Sequence, residues 1–167
     1  MATAILDSFR RRWEHVHAMT AAFVEVVPDA AWHARPLPGF APFSKQLRHV
    51  VCVRGVYNHG LRSGKLDFAA KHAHHDGTLD RASLRAALEQ KSAELLAVLA
   101  ALQSAPAELE QPRIDLFGKR ITTLDCLYGY VQHEAIHHGQ WSLYAAAAGY
   151  APPQLWRLQW GLGAGDV

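Results

Sequence analysis

Hydrophobic residues recur at helical spacing in four long segments of this sequence. Apolar side chains fall every three or four residues over about 4–26, 44–62, 80–103 and 122–148, and this period gathers them on one face of an α-helix. Residues typical of helix starts and stops flank the segments: the N-cap candidates are Ser44, Asp80 and Thr122 or Thr123, and the stops are Pro28, Gly64, Gly149 and Pro152-Pro153. The pattern therefore predicts four long helices.

Connections rich in proline, glycine and polar residues separate the predicted helices. They cover about residues 35–42, 63–77 and 104–120, and the last can hold a short hairpin around Phe117-Gly118-Lys119. No other strand is predicted. Four long helices in a chain of 167 residues predict one all-α domain, a four-helix bundle spanning residues 1–167. In such bundles, binding sites are built from inward side chains of facing helices.

Composition and charge narrow the range of partners. Half of the residues are hydrophobic and 19% are charged, as in a globular protein, and the formal net charge is only +2. No cluster of Lys and Arg with interleaved aromatics occurs, so we expect no nucleic-acid partner. No apolar run approaches the ~18 residues of a membrane span, and residues 1–12 lack a secretory signal pattern. We therefore expect a cytoplasmic protein that does not associate with membranes, in which Cys52 and Cys126 are reduced core thiols.

Three histidines occupy inward positions of two predicted helices. His133 and His137 are four residues apart in the fourth helix, so they share one face. His49 lies in the middle of the apolar stripe of the second helix. A single buried histidine is usually an ordinary core residue, but three leave several ring nitrogens in need of partners. One divalent metal ion satisfies a nitrogen of each, so the pattern predicts a metal site at His49, His133 and His137.

Other polar residues of these helices are predicted to face away from the site. A rotation of about 100° per residue turns Glu134 and His138 off the ligand face, toward the edge of the bundle or solvent. The side of the second helix opposite His49 carries Arg48, Arg54, Asn58, His59 and Arg62. The remaining histidines are predicted in a solvated loop or at surface or interface positions: His72, His74, His75, His15, His17 and His33.

The letters His133-Glu134-Ala135-Ile136-His137 also match the H-E-x-x-H pattern of zinc metalloproteases. In those enzymes the glutamate activates a metal-bound water for amide hydrolysis. A further ligand normally follows the pair, whereas after His138 this chain has no histidine and only Asp166 as an acidic residue. The protease interpretation is therefore disfavoured, although the two imidazoles stay candidate ligands.

Four segments of the sequence match the motifs of a known family. They are Leu47-Arg48-His49-Val50, His133-x3-His137-His138-Gly139-Gln140, Gly149-Tyr150-Ala151-Pro152-Pro153, and Trp156 with Trp160-Gly161-Leu162. Over nearly its whole length the chain resembles the DinB-like (DinB/YfiT) superfamily of bacterial metal-binding four-helix bundles. In that family one histidine of the second helix and two of the fourth form a metal triad, which implies His49, His133 and His137 as the ligands. The family often has arginine at the position of His138, and this departure leaves the ligands untouched.

The ligand set and the resemblance together suggest chemistry. Three imidazoles leave a divalent ion at least one open position, which is typical of catalytic zinc sites, and imidazole suits Zn and Ni among other metals. The family includes thiol transferases that use a low-molecular-weight bacterial thiol, and a mycothiol-dependent isomerase. The resemblance therefore implies a metal-dependent thiol transferase or hydrolase that activates a thiol or water against a small-molecule substrate. The alternative is a non-catalytic metal-binding or stress-response module.

The remaining expectations concern the surroundings of the site and the assembly. Four polar side chains near the ligand positions are candidates for lining the pocket or for hydrogen bonds around the ligands: Tyr57, Tyr130, Gln140 and Tyr144. Ordinary packing within the bundle is the competing interpretation for each of them. The resemblance also implies a homodimer formed by packed helices.

Overall fold

Four long α-helices form a bundle in the computed structural model, which describes residues 2–161. They are α1 (Ala2–Val26), α3 (Phe43–Ser63), α4 (Arg81–Ser104) and α5 (Thr123–Ala148), accompanied by the short helices α2 (Asp29–Trp32) and α6 (Gln154–Trp160). Both α1 and α3 pack against α4 and α5, so the helices follow the cyclic order α1, α4, α3, α5 around the core. The predicted all-α bundle is confirmed.

Local sequence signals set most of the helix ends. The Asp80 side chain accepts hydrogen bonds from the first backbone amides of α4, and Thr122 forms a capping box with Asp125 at the start of α5. Gly64 and Gly149 end α3 and α5 in the left-handed conformation, with φ angles of 79° and 75°. These positions agree with the predicted starts and stops.

The predicted N-cap at Ser44 is wrong. Helix α3 begins at Phe43, directly after Pro42, so Ser44 already belongs to the first turn. Its side chain is fully buried, and its hydroxyl lies 3.0 Å from Nδ1 of His33. A tertiary contact therefore occupies the hydroxyl that the sequence pattern assigned to capping.

A small sheet forms between the connections that follow α3 and α4. Strands β2 (Ile114–Leu116) and β3 (Lys119–Ile121) make the predicted hairpin. Phe117 and Gly118 both have positive φ, 51° and 81°, as a two-residue hairpin turn of type I′ requires. Strand β1 (Lys65–Leu66) pairs with β2 in parallel. It was not predicted, because two residues are too few to show the alternation that identifies a strand.

A layer of polar side chains divides the hydrophobic core into two clusters. One cluster gathers buried residues such as Trp13, Val56, Leu99 and Leu127, and the other gathers residues nearer the opposite end of each long helix. Between them lie buried polar side chains that include Thr20, Arg54, Glu134, His137 and His138. Buried polar groups are costly unless they bond to one another or to a ligand, so this layer is where a functional site is to be sought.

Two expectations drawn from composition can be compared with the structure. Cys52 and Cys126 are buried and unpaired, as predicted for reduced core thiols. No helix in the part of the chain that the structure describes has both the length and the apolar character needed to cross a bilayer.

Candidate metal centre

The three predicted ligand histidines lie together at the middle of the bundle. Nε2 of His49 on α3 is 3.2 Å from Nε2 of His133 on α5, and Nε2 of His137 is 3.3 Å from the same His133 atom. The ligand nitrogens of all three lie within 4.8 Å of one another. The fold thus brings His49 against a helical i, i+4 pair that lies 84 residues further along the chain.

The geometry of this triad fits a divalent metal ion. A tetrahedral ion with bonds of about 2.0–2.1 Å holds neighbouring nitrogens about 3.3 Å apart, and two of the three pairs match that spacing. Hydrogen bonding within the triad cannot satisfy all three nitrogens, since a neutral imidazole carries a single proton. Nδ1 of His133 and of His137 has no hydrogen-bond partner among residues 2–161. No group there therefore fixes the tautomer that would block ligation through Nε2.

The triad histidines are held in the neutral, ligating form. Burial lowers the pKa of His133 to about 3, with further lowering from the charges of His137 and His49. Burial also lowers the pKa of His49 to about 4. For His137 burial lowers the pKa, although the carboxylate of Glu134 opposes the effect. Since metals bind neutral imidazole, the ligands need not lose protons at neutral pH before they bind.

Two of the candidate surrounding residues, Tyr57 and Gln140, lie beside the triad. The ring centroid of Tyr57 is 6.5 Å from that of His133. Gln140 is partly exposed and follows His137 by three residues, so it lies on the same side of α5.

Tyr130 and Tyr144, the other two candidates, use their hydroxyls in the core. Tyr130 is fully buried, stacks on Tyr57 with centroids 4.7 Å apart, and donates its hydroxyl to the carbonyl of Arg54 at 3.3 Å. Tyr144 is also fully buried and donates its hydroxyl to the carbonyl of Ala34. Burial raises the pKa of both phenols. Each hydroxyl satisfies a backbone carbonyl, and the rings pack as part of the bundle.

The predicted position of Glu134 at the edge of the bundle or in solvent is wrong. Its side chain is 0% exposed and forms an ion pair with Arg54, which is also 0% exposed and had been placed on the polar side of its helix. Arg54 Nε donates to Oε2 of Glu134 at 3.3 Å, and a second guanidinium nitrogen donates to Oε1. Burial raises the pKa of the Glu134 carboxyl, but the charge and hydrogen bonds of Arg54 outweigh this and lower it to about 2. Glu134 is therefore an ionised partner of Arg54.

His138 was also predicted outside the core, yet it is only 3% exposed. Its Nε2 lies 2.8 Å from the hydroxyl of Thr20 on α1, and that hydroxyl also contacts Glu134. A carboxylate only accepts hydrogen bonds and a hydroxyl has one proton. His138 must therefore donate to Thr20 while Thr20 donates to Glu134. Burial lowers the pKa of His138 to about 4, so its neutral form serves as this donor.

Arg54 connects α3 to each of the other three long helices. Besides Glu134 on α5, its guanidinium donates to the carbonyl of Leu88 on α4 at 3.3 Å and to Nδ1 of His17 on α1 at 3.1 Å. It also lies 4.8 Å from the ring centroid of Trp13. His17, predicted at the surface or an interface, is only 16% exposed and contacts Glu89 through Nε2 at 3.0 Å. The guanidinium is thus held by bonds in several directions.

One signal in the sequence pointed to this buried network. The fourth predicted helix has apolar residues around most of its circumference, and Asp125 and Glu134 are its only charged residues. A helix of that kind is buried on more than one side, so a residue turned away from the ligand face need not reach solvent. Asn58, another polar residue predicted outside, is likewise buried, and it donates to the carbonyl of Lys91 at 2.8 Å.

A four-helix bundle with three convergent histidines defines a class of helical proteins that carry a candidate metal centre between two helices. Comparison with known proteins gives the family. The sequence profile of the DinB superfamily matches residues 12–141, which is most of the chain and includes all three histidines. The chain belongs to the DinB superfamily.

Two residues named in the sequence analysis lie outside the residues that the structure describes. They are Leu162, part of the last matched segment, and Asp166, the only acidic residue after His138.

A solved structure shares the fold. A DinB-like protein of Bacillus subtilis, YjoA, superposes with a TM-score of 0.68 over 87% of this chain and 94% of its own, at 16% sequence identity. At that identity the likeness concerns the fold alone. No curated protein matches this chain.

Proposed function

We propose that this protein binds one divalent metal ion, zinc or nickel, through Nε2 of His49, His133 and His137. The observation that supports the proposal is the convergence of three neutral imidazoles at metal-ligand spacing inside a bundle of the DinB superfamily. When bound, the ion would supply Lewis-acid chemistry, which lowers the pKa of a thiol or water that enters the remaining position.

We further propose that the site is catalytic, in a thiol transferase or hydrolase that acts on a small electrophilic or ester-like substrate. His49 and His133 are partly exposed, which supports access of a ligand to the open position. The ring of Trp141 lies 6.0 Å from that of His137, but it is fully buried and donates its indole N–H to Gln46 at 3.1 Å, so it belongs to the core. A low-molecular-weight thiol is the proposed second cofactor, and the cytoplasm, where such thiols are kept reduced, the proposed compartment.

The peptidase alternative needs Glu134 as a general base beside the metal. Both carboxylate oxygens of Glu134 are engaged by Arg54, and one also by Thr20. Because these partners hold the carboxylate away from the ligand face of α5, Glu134 has no route to a metal-bound water. The H-E-x-x-H match thus offers two ligands without the base that a peptidase requires.

The metal proposal is tested by elemental analysis of untagged protein. Wild type should carry close to one zinc or nickel ion per chain, and His49→Ala should lose most of it. His59→Ala is a matched control, since His59 lies on the same helix but is exposed and outside the triad. Stoichiometric metal that survives His49→Ala would refute the triad.

Activity is then screened with bacillithiol, mycothiol or glutathione and an electrophilic acceptor. If loaded protein transfers none of these thiols, the metal-binding module becomes the better interpretation.

We also propose that the protein forms a homodimer through the outer face of α5. This face exposes Tyr128, Ile136 and Leu143 at 59%, 55% and 61%. Exposed Asp125 lies one turn before Tyr128, at the N-terminal end of the same face, whereas Glu134 is buried on another side. A face that is apolar along its middle is compatible with a second copy of itself across a two-fold axis, and Gly139 on it leaves space for close approach. Light scattering should report a dimer for wild type and a monomer for Leu143→Lys. Ala86→Lys adds the same charge to an exposed position of α4 and should stay dimeric. A monomeric wild type would refute the proposal.

A further inference from the structure

We infer that the buried Arg54–Glu134 ion pair positions the metal ligands by fixing how α3 and α5 are placed against each other. The inference rests on the proposed metal site. Arg54 and His49 belong to α3, and Glu134 and His133 are adjacent on α5. The pair therefore links the two helices that supply all three ligands. It touches neither the metal position nor any proposed substrate, so its role is that of a positioning pair.

A small rotation of α5 would displace the ligand nitrogens of His133 and His137, so the metal site needs a contact that holds the helix in one orientation. Ring nitrogens of a helical histidine lie roughly 6 Å from the helix axis, so a rotation of about 10° moves them by about 1 Å. Metal–ligand bonds tolerate only about 0.2 Å. Glu134 and His133 are about 100° apart around α5. Holding the Glu134 carboxylate in place therefore fixes the direction in which His133 and His137 point.

The hydrogen bonds of the pair supply that constraint. Two guanidinium nitrogens donate to the two carboxylate oxygens of Glu134, and this bidentate arrangement restricts angle as well as distance. Arg54 cannot swing with α5, because it also bonds to Leu88 of α4 and His17 of α1. Thr20 of α1 bonds to Glu134 from another side. The orientation of α5 is therefore set by contacts that reach all three of the other long helices.

Apolar packing alone would constrain the relative orientation of α3 and α5 less tightly. Replacing a buried ion pair with apolar residues of similar volume often preserves or increases stability, so the presence of this pair is weak evidence for stabilisation. Apolar contacts are non-directional, whereas a bidentate ion pair has one favourable geometry. The pair should therefore matter more for ligand geometry than for folding.

The test separates metal geometry from folding. The double variant Arg54→Met/Glu134→Leu removes both charges, and Arg54→Lys keeps the charge but loses the bidentate fork. Cobalt(II) is the probe, since its visible absorption reports coordination geometry, and its affinity is measured by competition with a chromophoric chelator. We expect both variants to show native circular dichroism, at least tenfold weaker cobalt binding and an altered cobalt spectrum. Ser92→Ala is the control: it removes the buried Trp13–Ser92 hydrogen bond without touching α5, and its cobalt affinity should stay within twofold of wild type.

The outcomes distinguish this inference from the proposed function. If wild type binds no cobalt, zinc or nickel, the proposed metal site is wrong. If wild type binds and a folded variant binds equally well with an unchanged spectrum, the positioning role is overturned. Loss of affinity in Ser92→Ala to the same degree would also overturn it, since the effect would then follow from general loosening of the core. Should the double variant fail to fold, Arg54→Lys decides by the same criteria.

Discussion

Replacing Glu134 alone tests the buried charge network through stability. Glu134→Leu leaves the Arg54 guanidinium 0% exposed and without its counter-ion. Arginine does not relieve such a situation by losing its proton in proteins, and the remaining partners of the guanidinium are neutral, the carbonyl of Leu88 and the ring of His17. The variant must therefore either bury an uncompensated charge or distort α3 to bring Arg54 to solvent.

The expected loss is about 3–5 kcal/mol, the usual cost of removing one partner of a buried ion pair. The Thr20 hydroxyl adds little to this, because it already lies 3.2 Å from the carbonyl of Val16 and can donate there instead. Native domains are stable by only about 5–15 kcal/mol, so Glu134→Leu should remove a large part of the total. The double variant Arg54→Met/Glu134→Leu buries no charge and should lie within about 2 kcal/mol of wild type.

Urea unfolding followed by circular dichroism measures both quantities. The assay is run with a chelator, so that bound metal does not contribute to stability. With a slope of about 2 kcal/mol per molar urea, a loss of 4 kcal/mol lowers the midpoint by about 2 M. Glu89→Gln is the matched control, since Glu89 is 65% exposed and belongs to the same network through His17. It should change stability by less than about 1 kcal/mol.

A midpoint for Glu134→Leu within about 0.5 M of wild type would refute the buried counter-ion role. It would mean that Glu134 faces solvent or the metal, as in a peptidase, where the catalytic base is not needed for folding. A double variant as unstable as the single one would also contradict the reasoning, because removal of the stranded arginine charge should restore most of the loss.

Three further predictions follow from the same packing. Stability of the metal-free protein should fall as pH drops from about 6.5 to 4, because burial lowers the pKa of His138 to about 4 and the unfolded chain takes up the proton first. His138 alone accounts for about 3 kcal/mol, and a urea midpoint that does not change over this range would contradict its burial. Gly55→Ala should cost about 1–3 kcal/mol, since an added Cβ would lie 2.4 Å from Cβ of His74. Thermal unfolding measures this, and an unchanged melting temperature would contradict the close approach of His74 to α3. Trp156→Ala should lower the free energy of unfolding by about 3–5 kcal/mol, because the ring is fully buried and its N–H donates to the carbonyl of Met19 at 2.8 Å. A loss of stability below about 1 kcal/mol would show that α6 does not close the core.

Much of the fold and the candidate ligands could be predicted from local pattern. Helix periodicity depends on neighbours within one turn, and the caps at Asp80 and Thr122 act within three residues, so the sequence alone determined the four long helices and most of their ends. The i, i+4 spacing of His133 and His137 is equally local. His49 could be assigned to the same site because an inward histidine on another helix of a small bundle must lie in the shared core. The resemblance to the DinB superfamily implied the same three ligands.

Only the tertiary structure decided what surrounds each helix. A wheel gives the direction of a side chain around its own axis, but not which neighbour lies in that direction. Helix α5 packs against α3 and also against α1, so Glu134 and His138, turned off the ligand face, meet Arg54 and Thr20 where the pattern predicted the edge or solvent. Burial of a charge depends on a counter-charge that another helix supplies, and that partner is 80 residues away in the chain. The sequence by itself therefore determined the helices and the ligand face, while the packing of all four helices determined the ion pair behind it.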